Sequence, residues 1–105
     1  MSKLPDQYLS IKKRFNKFFT ASKNLGKAAS AAGPINAKTA QLIQLAATAA
    51  IKSEGSVHSH VKRALEAGAK PDEIYHALIL TTSIIGFPSV SAAMSWADDI
   101  IMKKE

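Results

Sequence analysis

The sequence contains no cysteine. Disulfide bonds, thiolate metal sites, iron–sulfur clusters and thiol nucleophiles are therefore excluded. Long apolar runs are also missing: a stretch such as LAATAAI at 45–51 falls far short of the ~20 apolar residues that a membrane-spanning helix needs. No basic segment followed by an apolar one opens the chain. We expect a soluble, cytoplasmic protein that does not enter a membrane.

Acidic residues are scarce in the first third of the chain. Residues 1–38 contain eight Lys or Arg and the single acid Asp6, whereas residues 39–105 contain six basic and seven acidic residues. The formal net charge of +6 therefore arises from the N-terminal segment. Such asymmetry fits either an anionic partner, such as a nucleic acid or a membrane surface, or a solvated helix face.

Glycine and proline are few, and their positions divide the chain into about five predicted helices. Asn36 is a plausible N-cap, Pro71 suits a first helical turn and Gly68 suits the position after a helix end. No stretch resembles a strand pair, so we predict an all-α, single-domain helical bundle. It comprises one domain over 1–105, with a basic amphipathic N-terminal helix at 1–33 and a helical core at 36–102. The predicted helices lie at about 5–33, 36–52, 53–68, 71–85 and 89–102.

The first predicted helix is amphipathic and has a bulky aromatic seam. Phe15, Phe18 and Phe19 fall on this seam, and the basic residues lie beside it rather than between them. This arrangement favours packing of the aromatic side chains over their insertion into nucleic acid or membrane. We expect no specific nucleic-acid partner.

The second predicted helix is apolar on nearly every side. Its polar residues follow one narrow stripe, at steps of three, four and four positions: Gln41, Gln44, Thr48 and Lys52. A helix of this kind must be buried on most sides, and a chain this short offers few neighbours to cover it. We therefore expect a homo-oligomer in which the stripe faces another polar group.

Two of the three histidines lie in the third predicted helix, within the stretch SEGSVHSH at 53–60. His60 shares the apolar face of this helix, whereas His58 lies about 200° around the helix axis from it. One interpretation is a core histidine whose ring is satisfied by a backbone carbonyl. The other is a proton donor or acceptor that faces Gln41 or Thr48 across a small pocket.

Ser53 and Ser56 precede these histidines at the expected helix start. They are interpreted either as capping residues or as hydrogen-bonding groups of a site. A serine hydrolase is disfavoured because no G-x-S-x-G signature surrounds either serine. A metal site is not predicted, because His58 and His60 point to different sides of the helix and no carboxylate follows His60 at three or four positions.

The chain resembles the carboxymuconolactone decarboxylase superfamily, which also contains the alkylhydroperoxidase D proteins. His60, Ala64 and Gly68 reproduce a spacing that is typical of this superfamily, and Gly86 and Pro88 reproduce its Gly-x-Pro. The resemblance covers residues 36–97 and rests on the stretches KTAQLIQLAATAAI, HVKRALEAGAKPDEIYHALI and GFPSVSAAM.

The resemblance implies that the thiol chemistry of the peroxidase branch is absent. That branch has a C-x-x-C motif at the places of Ser53 and Ser56, and a proton-relaying glutamate at the place of Gln41. A hydroxyl is not oxidised by peroxide, and glutamine does not exchange a proton at neutral pH. The dithiol relay is therefore disabled, while His60 and His58 are retained as candidate catalytic residues.

Three functions stay open. The first is cofactor-free, lyase-type acid–base chemistry of the decarboxylase branch, or binding of a small carboxylate or lactone, with Gln41, Thr48, Ser53 and Ser56 in the pocket. The second is a family member that has lost its redox site and serves as a binding or assembly protein. The third is a basic helical module that binds anionic surfaces. No cofactor is expected, and the resemblance implies a trimer or hexamer.

Overall fold

A computed structural model describes residues 5–103 of the chain, and within them it contains helices and no strand. The predicted all-α class is therefore confirmed. Two of the five predicted helices are each interrupted, which gives seven helices in this part of the chain. They are α1 (Asp6–Arg14), α2 (Asn16–Ala31), α3 (Ala37–Ala50), α4 (Glu54–Glu66), α5 (Pro71–Ile79), α6 (Thr82–Ile85) and α7 (Phe87–Ile101).

The chain divides into two compact units, Met1–Pro34 and Ile35–Glu105. The first unit contains α1 and α2, and the second contains α3 to α7. The boundary falls between the N-terminal segment at 1–33 and the core at 36–102 that the sequence distinguishes. The single domain over 1–105 stays a prediction. None of the described helices combines the length and the apolarity that crossing a membrane requires.

The first unit is a pair of helices rather than the single helix predicted over 5–33. The backbone leaves the helical region at Phe15, with φ of −131° and ψ of 58°. The rings of Tyr8 and Phe19 then meet edge to face, with their centroids 4.9 Å apart. In an unbroken helix, the backbones of Tyr8 and Phe19 would lie roughly 16 Å apart along the axis, because the two residues are eleven positions apart. The chain therefore folds back at Phe15, and aromatic packing explains the interruption.

The aromatic seam packs only in part. Phe19 is buried, so the packing prediction is confirmed for this residue, but it is wrong within one chain for Phe15 and Phe18, which are 55% and 67% exposed. The Arg14 guanidinium lies 5.3 Å from the Phe15 ring centroid, and the Lys12 ammonium lies 5.9 Å from that of Phe19. Cations thus cover aromatic faces in this unit.

The second unit is built around an apolar core to which α3, α4, α5 and α7 contribute. Alanine is frequent in this core, and its small side chain allows helix backbones to approach each other closely. The partly buried Leu42, Tyr75 and Met94 pack against the core. The core residues are Leu45, Ala49, Val57, Val61, Ala64, Ala69, Ile74, Leu78, Ala93 and Ala97.

The ends of the helices in this unit follow the predicted signals. Asn36 caps α3, because its side-chain oxygen accepts a hydrogen bond from the Thr39 backbone N–H at 2.8 Å. Pro71 begins α5, and Gly68 follows the end of α4 with a φ of +100° that L side chains rarely adopt. Glu73 reinforces the start of α5 by accepting a hydrogen bond from the Lys70 backbone N–H at 2.9 Å.

The predicted helix over 71–85 is interrupted after Ile79. The hydroxyl of Thr81 donates a hydrogen bond to the carbonyl of Leu78, and that of Thr82 donates to the carbonyl of Ile79, both at 2.6 Å. Such bonds compete with the regular backbone ladder and bend helices. The short α6 then ends at Gly86, whose φ is +90°.

Candidate functional site

A tight turn between α3 and α4 brings the two helices side by side. Lys52 adopts a left-handed φ of 57°. The backbone N–H of Ser53 returns to the carbonyl of Thr48 at 3.1 Å, which closes the end of α3. Because α4 begins immediately afterwards and runs back along α3, positions 41 and 60 come to lie opposite each other.

His60 and Gln41 form a direct side-chain hydrogen bond across this interface. Nδ1 of His60 lies 2.8 Å from Oε1 of Gln41, and the pair is partly buried. An amide oxygen only accepts hydrogen bonds. Nδ1 of a neutral His60 therefore carries the proton and donates a hydrogen bond to Gln41. The lone pair therefore resides on Nε2, which leaves this nitrogen able to accept a proton.

The surroundings of His60 favour the neutral imidazole. Partial burial, and secondarily the positive charge of Arg63, lower the pKa of His60 from its ordinary value of 6.5. Arg63 lies one turn beyond His60 on α4 and is exposed. Arg63 is not among the site residues predicted from the sequence, although its position three residues after His60 was a usable signal. A guanidinium at this place attracts a carboxylate.

Ser53 and Ser56 lie at the start of α4. Ser56 is four residues before His60, which places these two side chains on one face of the helix. Ser53 is the N-cap residue of α4, but its side chain makes no capping hydrogen bond. Both serines are half-buried, and their roles in a pocket stay predictions.

Thr48 is engaged elsewhere. Its side chain is buried, and its hydroxyl donates a hydrogen bond to the carbonyl of Leu45 in its own helix at 2.7 Å. Of the two candidate partners on α3, the structure therefore brings Gln41 rather than Thr48 into hydrogen-bonding contact with His60. A role of Thr48 in the pocket also stays a prediction.

His58 faces a different neighbour from His60. Its Nε2 lies 3.0 Å from Oδ2 of Asp99 on α7, so the structure does not bring His58 to Gln41. Glu54, one turn earlier on α4, belongs to the same group: one ligand atom each of Glu54, His58 and Asp99 lie within 4.8 Å of one another. This group is not among the sites predicted from the sequence, because that prediction rests on carboxylates after His60 and Asp99 is 41 positions from His58.

An apolar groove opens elsewhere in the second unit. It has a volume of about 440 Å³ and lies between α3, α5 and α6. Gln41 and His60 are not among its lining residues. Those residues are Thr39, Leu42, Ile43, Ala46, Glu73, His76, Ala77, Leu80, Thr81 and Ile84.

Comparison with known protein families assigns the chain to a family. Residues 16–99 match the family model described as "Carboxymuconolactone decarboxylase family". Among curated proteins, no sequence matches the chain. The match covers most of the 105 residues, and the absence of cysteine means that the chain lacks a C-x-x-C motif. The chain therefore belongs to the carboxymuconolactone decarboxylase family.

Proposed function

We propose that His60 and Gln41 form a cofactor-free acid–base site that binds a small carboxylate or lactone and catalyses lyase-type chemistry on it. The observation that carries the proposal is the 2.8 Å hydrogen bond between His60 Nδ1 and Gln41 Oε1, which holds the ring in the tautomer with a free lone pair on Nε2. Membership of the family supports the reaction class.

The chemistry requires one proton transfer to carbon. When a lactone acid loses CO2, the electron pair of the broken C–C bond stays on the substrate as a carbanion or dienolate, which must then be protonated. His60 takes a proton from solvent on Nε2 and passes it to that carbon. Gln41 accepts a hydrogen bond from Nδ1–H in both protonation states of the ring, so it keeps the ring oriented during the proton transfer.

The substrate carboxylate is oriented by positive groups on α4. Arg63 supplies a guanidinium beside His60, and the first turn of α4 supplies backbone N–H groups and the positive end of the helix dipole. The Ser53 hydroxyl, which makes no capping bond, is available to hydrogen-bond the ligand. No thiol takes part, so the proposal excludes dithiol peroxidase activity.

The test compares substitutions at His60. A panel of small lactones and carboxylates is screened for binding by NMR and for release of CO2 or exchange of a carbon-bound proton. His60→Ala should abolish binding and turnover. His60→Asn keeps a hydrogen bond to Gln41 without a titratable proton, so it should retain binding and lose turnover. His76→Ala, at an exposed histidine on α5, is the matched control and should change neither.

The outcomes separate the remaining functions. Turnover that survives in His60→Asn would refute the acid–base role. Binding without turnover in the unaltered chain would favour the second function, a binding protein that has lost its chemistry. If no ligand of either class binds, the proposal fails.

We also propose that the chain forms a homo-oligomer, a trimer or a hexamer. Large apolar side chains are exposed around the groove: Ile43, Leu80 and Ile84 are 52%, 65% and 82% exposed. Contiguous apolar surface of this kind in a single chain is typical of protein interfaces. A second copy of the chain would cover it, as the family resemblance implies.

Light scattering at micromolar concentration tests the oligomer. The unaltered chain should have the mass of three or six copies. Ile84→Lys should lower that mass, because it places a charge on the most exposed apolar residue of the groove. Ser83→Lys, at the neighbouring exposed position, is the control and should leave the mass unchanged. A monomeric mass of the unaltered chain would refute this proposal.

A further inference from the structure

Three potential metal ligands converge where α4 packs against α7. Glu54 and His58 are four residues apart in the first part of α4, so their side chains lie on one face of that helix. Asp99 projects toward them from α7, and one ligand atom of each of the three residues lies within 4.8 Å of the other two. Their donor set is one imidazole nitrogen and two carboxylate oxygens.

The helices that carry these residues are held together by the core. Val57 and Val61 on α4 and Ala93 and Ala97 on α7 are fully or almost fully buried in one cluster. The backbones of the three ligands are therefore fixed by packing rather than carried on loops, which is what a precise ligand geometry requires.

The distances fit a divalent transition metal. Bonds of about 2.0–2.2 Å from zinc to nitrogen or oxygen place tetrahedral ligand atoms roughly 3.3–3.6 Å apart. The His58 Nε2 to Asp99 Oδ2 distance of 3.0 Å is already close to this value. All three ligand atoms lie within 4.8 Å of one another, and rotation of the exposed Glu54 side chain can bring its carboxylate to bonding distance of an ion. The two carboxylates neutralise the charge of the ion, and the imidazole favours zinc-like ions over Mg²⁺.

We infer that Glu54, His58 and Asp99 form a binding site for a zinc-like divalent cation, separate from the pair of Gln41 and His60. Without an ion, Nε2–H of His58 donates to Asp99, which joins α4 to α7. When an ion binds, the His58 proton resides on Nδ1 instead, so that the Nε2 lone pair meets the metal. Water completes the coordination, since the chain supplies three ligands. The ion stabilises the contact between α4 and α7.

The experiment titrates ZnCl₂, with MgCl₂ as the comparison, into the full chain without a histidine tag. Isothermal calorimetry and the shift in Tm are the readouts, and neither depends on enzymatic activity. One Zn²⁺ should bind per chain and raise Tm, whereas Mg²⁺ should do neither. Glu54→Gln is the most informative variant, because it removes an exposed ligand and leaves the hydrogen bond between His58 and Asp99 in place. It should weaken Zn²⁺ binding about tenfold or more.

Further variants identify the site. Asp99→Asn and His58→Ala should also weaken Zn²⁺ binding, and His76→Ala, at an exposed histidine outside the group, should not. Zn²⁺ binding that is unchanged in Glu54→Gln and His58→Ala, or that is lost in His76→Ala, would overturn the inference. Absence of Zn²⁺ binding in the unaltered chain would do the same and would leave His58 and Asp99 as a helix-joining pair only. None of these outcomes alters the proposal for His60, which is tested by ligand turnover.

Discussion

His60 Nδ1 donates a hydrogen bond to Oε1 of Gln41 over 2.8 Å, although 19 positions separate the two residues in the chain. The pair joins the middle of α4 to the first turns of α3. The partner of the imidazole is thus a side chain of the polar stripe on α3 rather than a main-chain carbonyl. The interpretation of His60 as a core histidine whose ring is satisfied by a backbone carbonyl therefore does not hold for Nδ1.

Removal of the glutamine should therefore change the histidine ring. In Gln41→Leu the Nδ1–H group loses its acceptor, and the two neutral tautomers of His60 should both be populated. Ring ¹⁵N chemical shifts at mildly alkaline pH measure the tautomer directly. The free energy of unfolding should also fall by about 0.5–1.5 kcal/mol, as is usual for one hydrogen bond.

Gln44→Leu is the matched control, since Gln44 lies on the same stripe and is half-buried. It should leave the His60 tautomer unchanged. A single Nδ1–H tautomer that persists in Gln41→Leu would contradict the assigned role of Gln41.

Peroxidase activity with a dithiol reductant should be absent. Such turnover passes through a sulfenic acid on a cysteine, and the chain contains none. Consumption of an organic hydroperoxide is measured against a heat-denatured sample. Introduction of the cysteines and the glutamate in Gln41→Glu/Ser53→Cys/Ser56→Cys supplies a positive comparison, because positions 53 and 56 are spaced as in C-x-x-C and position 41 holds the place of the relaying glutamate. Consumption by the unaltered chain above the denatured sample would refute the prediction.

Stability of the second unit should depend on the core and little on its apolar exterior. Ile74 is fully buried, whereas Ile79 in the same helix is 49% exposed. Ile74→Ala should lower the free energy of unfolding by about 2–5 kcal/mol. Ile79→Ala, the same substitution at the surface, should cost less than about 1 kcal/mol. Chemical denaturation measures both, and equal losses would contradict the assigned core.

The basic N-terminal unit should bind duplex DNA weakly and without sequence preference. Lys and Arg neutralise phosphates, which gives an affinity that falls steeply with salt, but they do not by themselves read bases. Lys13→Glu/Lys17→Glu should weaken binding at low salt, and Lys103→Glu in the second unit should weaken it less. Fluorescence anisotropy measures the binding. Tight, sequence-selective binding at physiological salt would instead support the basic helical module.

How much of this arrangement was predictable depends on the range of the interaction. Asn36, Gly68 and Pro71 act on their own helix ends, so local rules predicted those ends correctly. The break at Phe15 was missed, because neither glycine nor proline marks it and its cause is the contact of two rings eleven positions apart.

The same limit applies to the candidate site. Helical spacing predicted that His60 faces the stripe on α3, and contact between two consecutive helices follows from a short turn. The approach of Asp99 to His58 spans 41 positions and depends on how α7 packs against α4, which no local pattern records.

The hydrogen bond between Tyr75 and Asp98 should make the stability of the second unit depend on alkaline pH. The hydroxyl of Tyr75 on α5 donates a hydrogen bond to Oδ1 of Asp98 on α7 over 2.5 Å. This hydrogen bond, followed by partial burial and the charge of Asp98, raises the pKa of Tyr75 from 10.0 to about 12. Because the folded chain holds this proton more tightly than the unfolded chain, the stabilisation is complete below pH 10 and is lost as the pH rises through about 12. Tyr75→Phe should remove this pH-dependent part of the stability, and the control Tyr8→Phe should retain it. Chemical denaturation between pH 10 and about 12 measures the free energy of unfolding of each chain. The difference between the unaltered chain and Tyr75→Phe should shrink as the pH rises. A constant difference would contradict the assigned hydrogen bond.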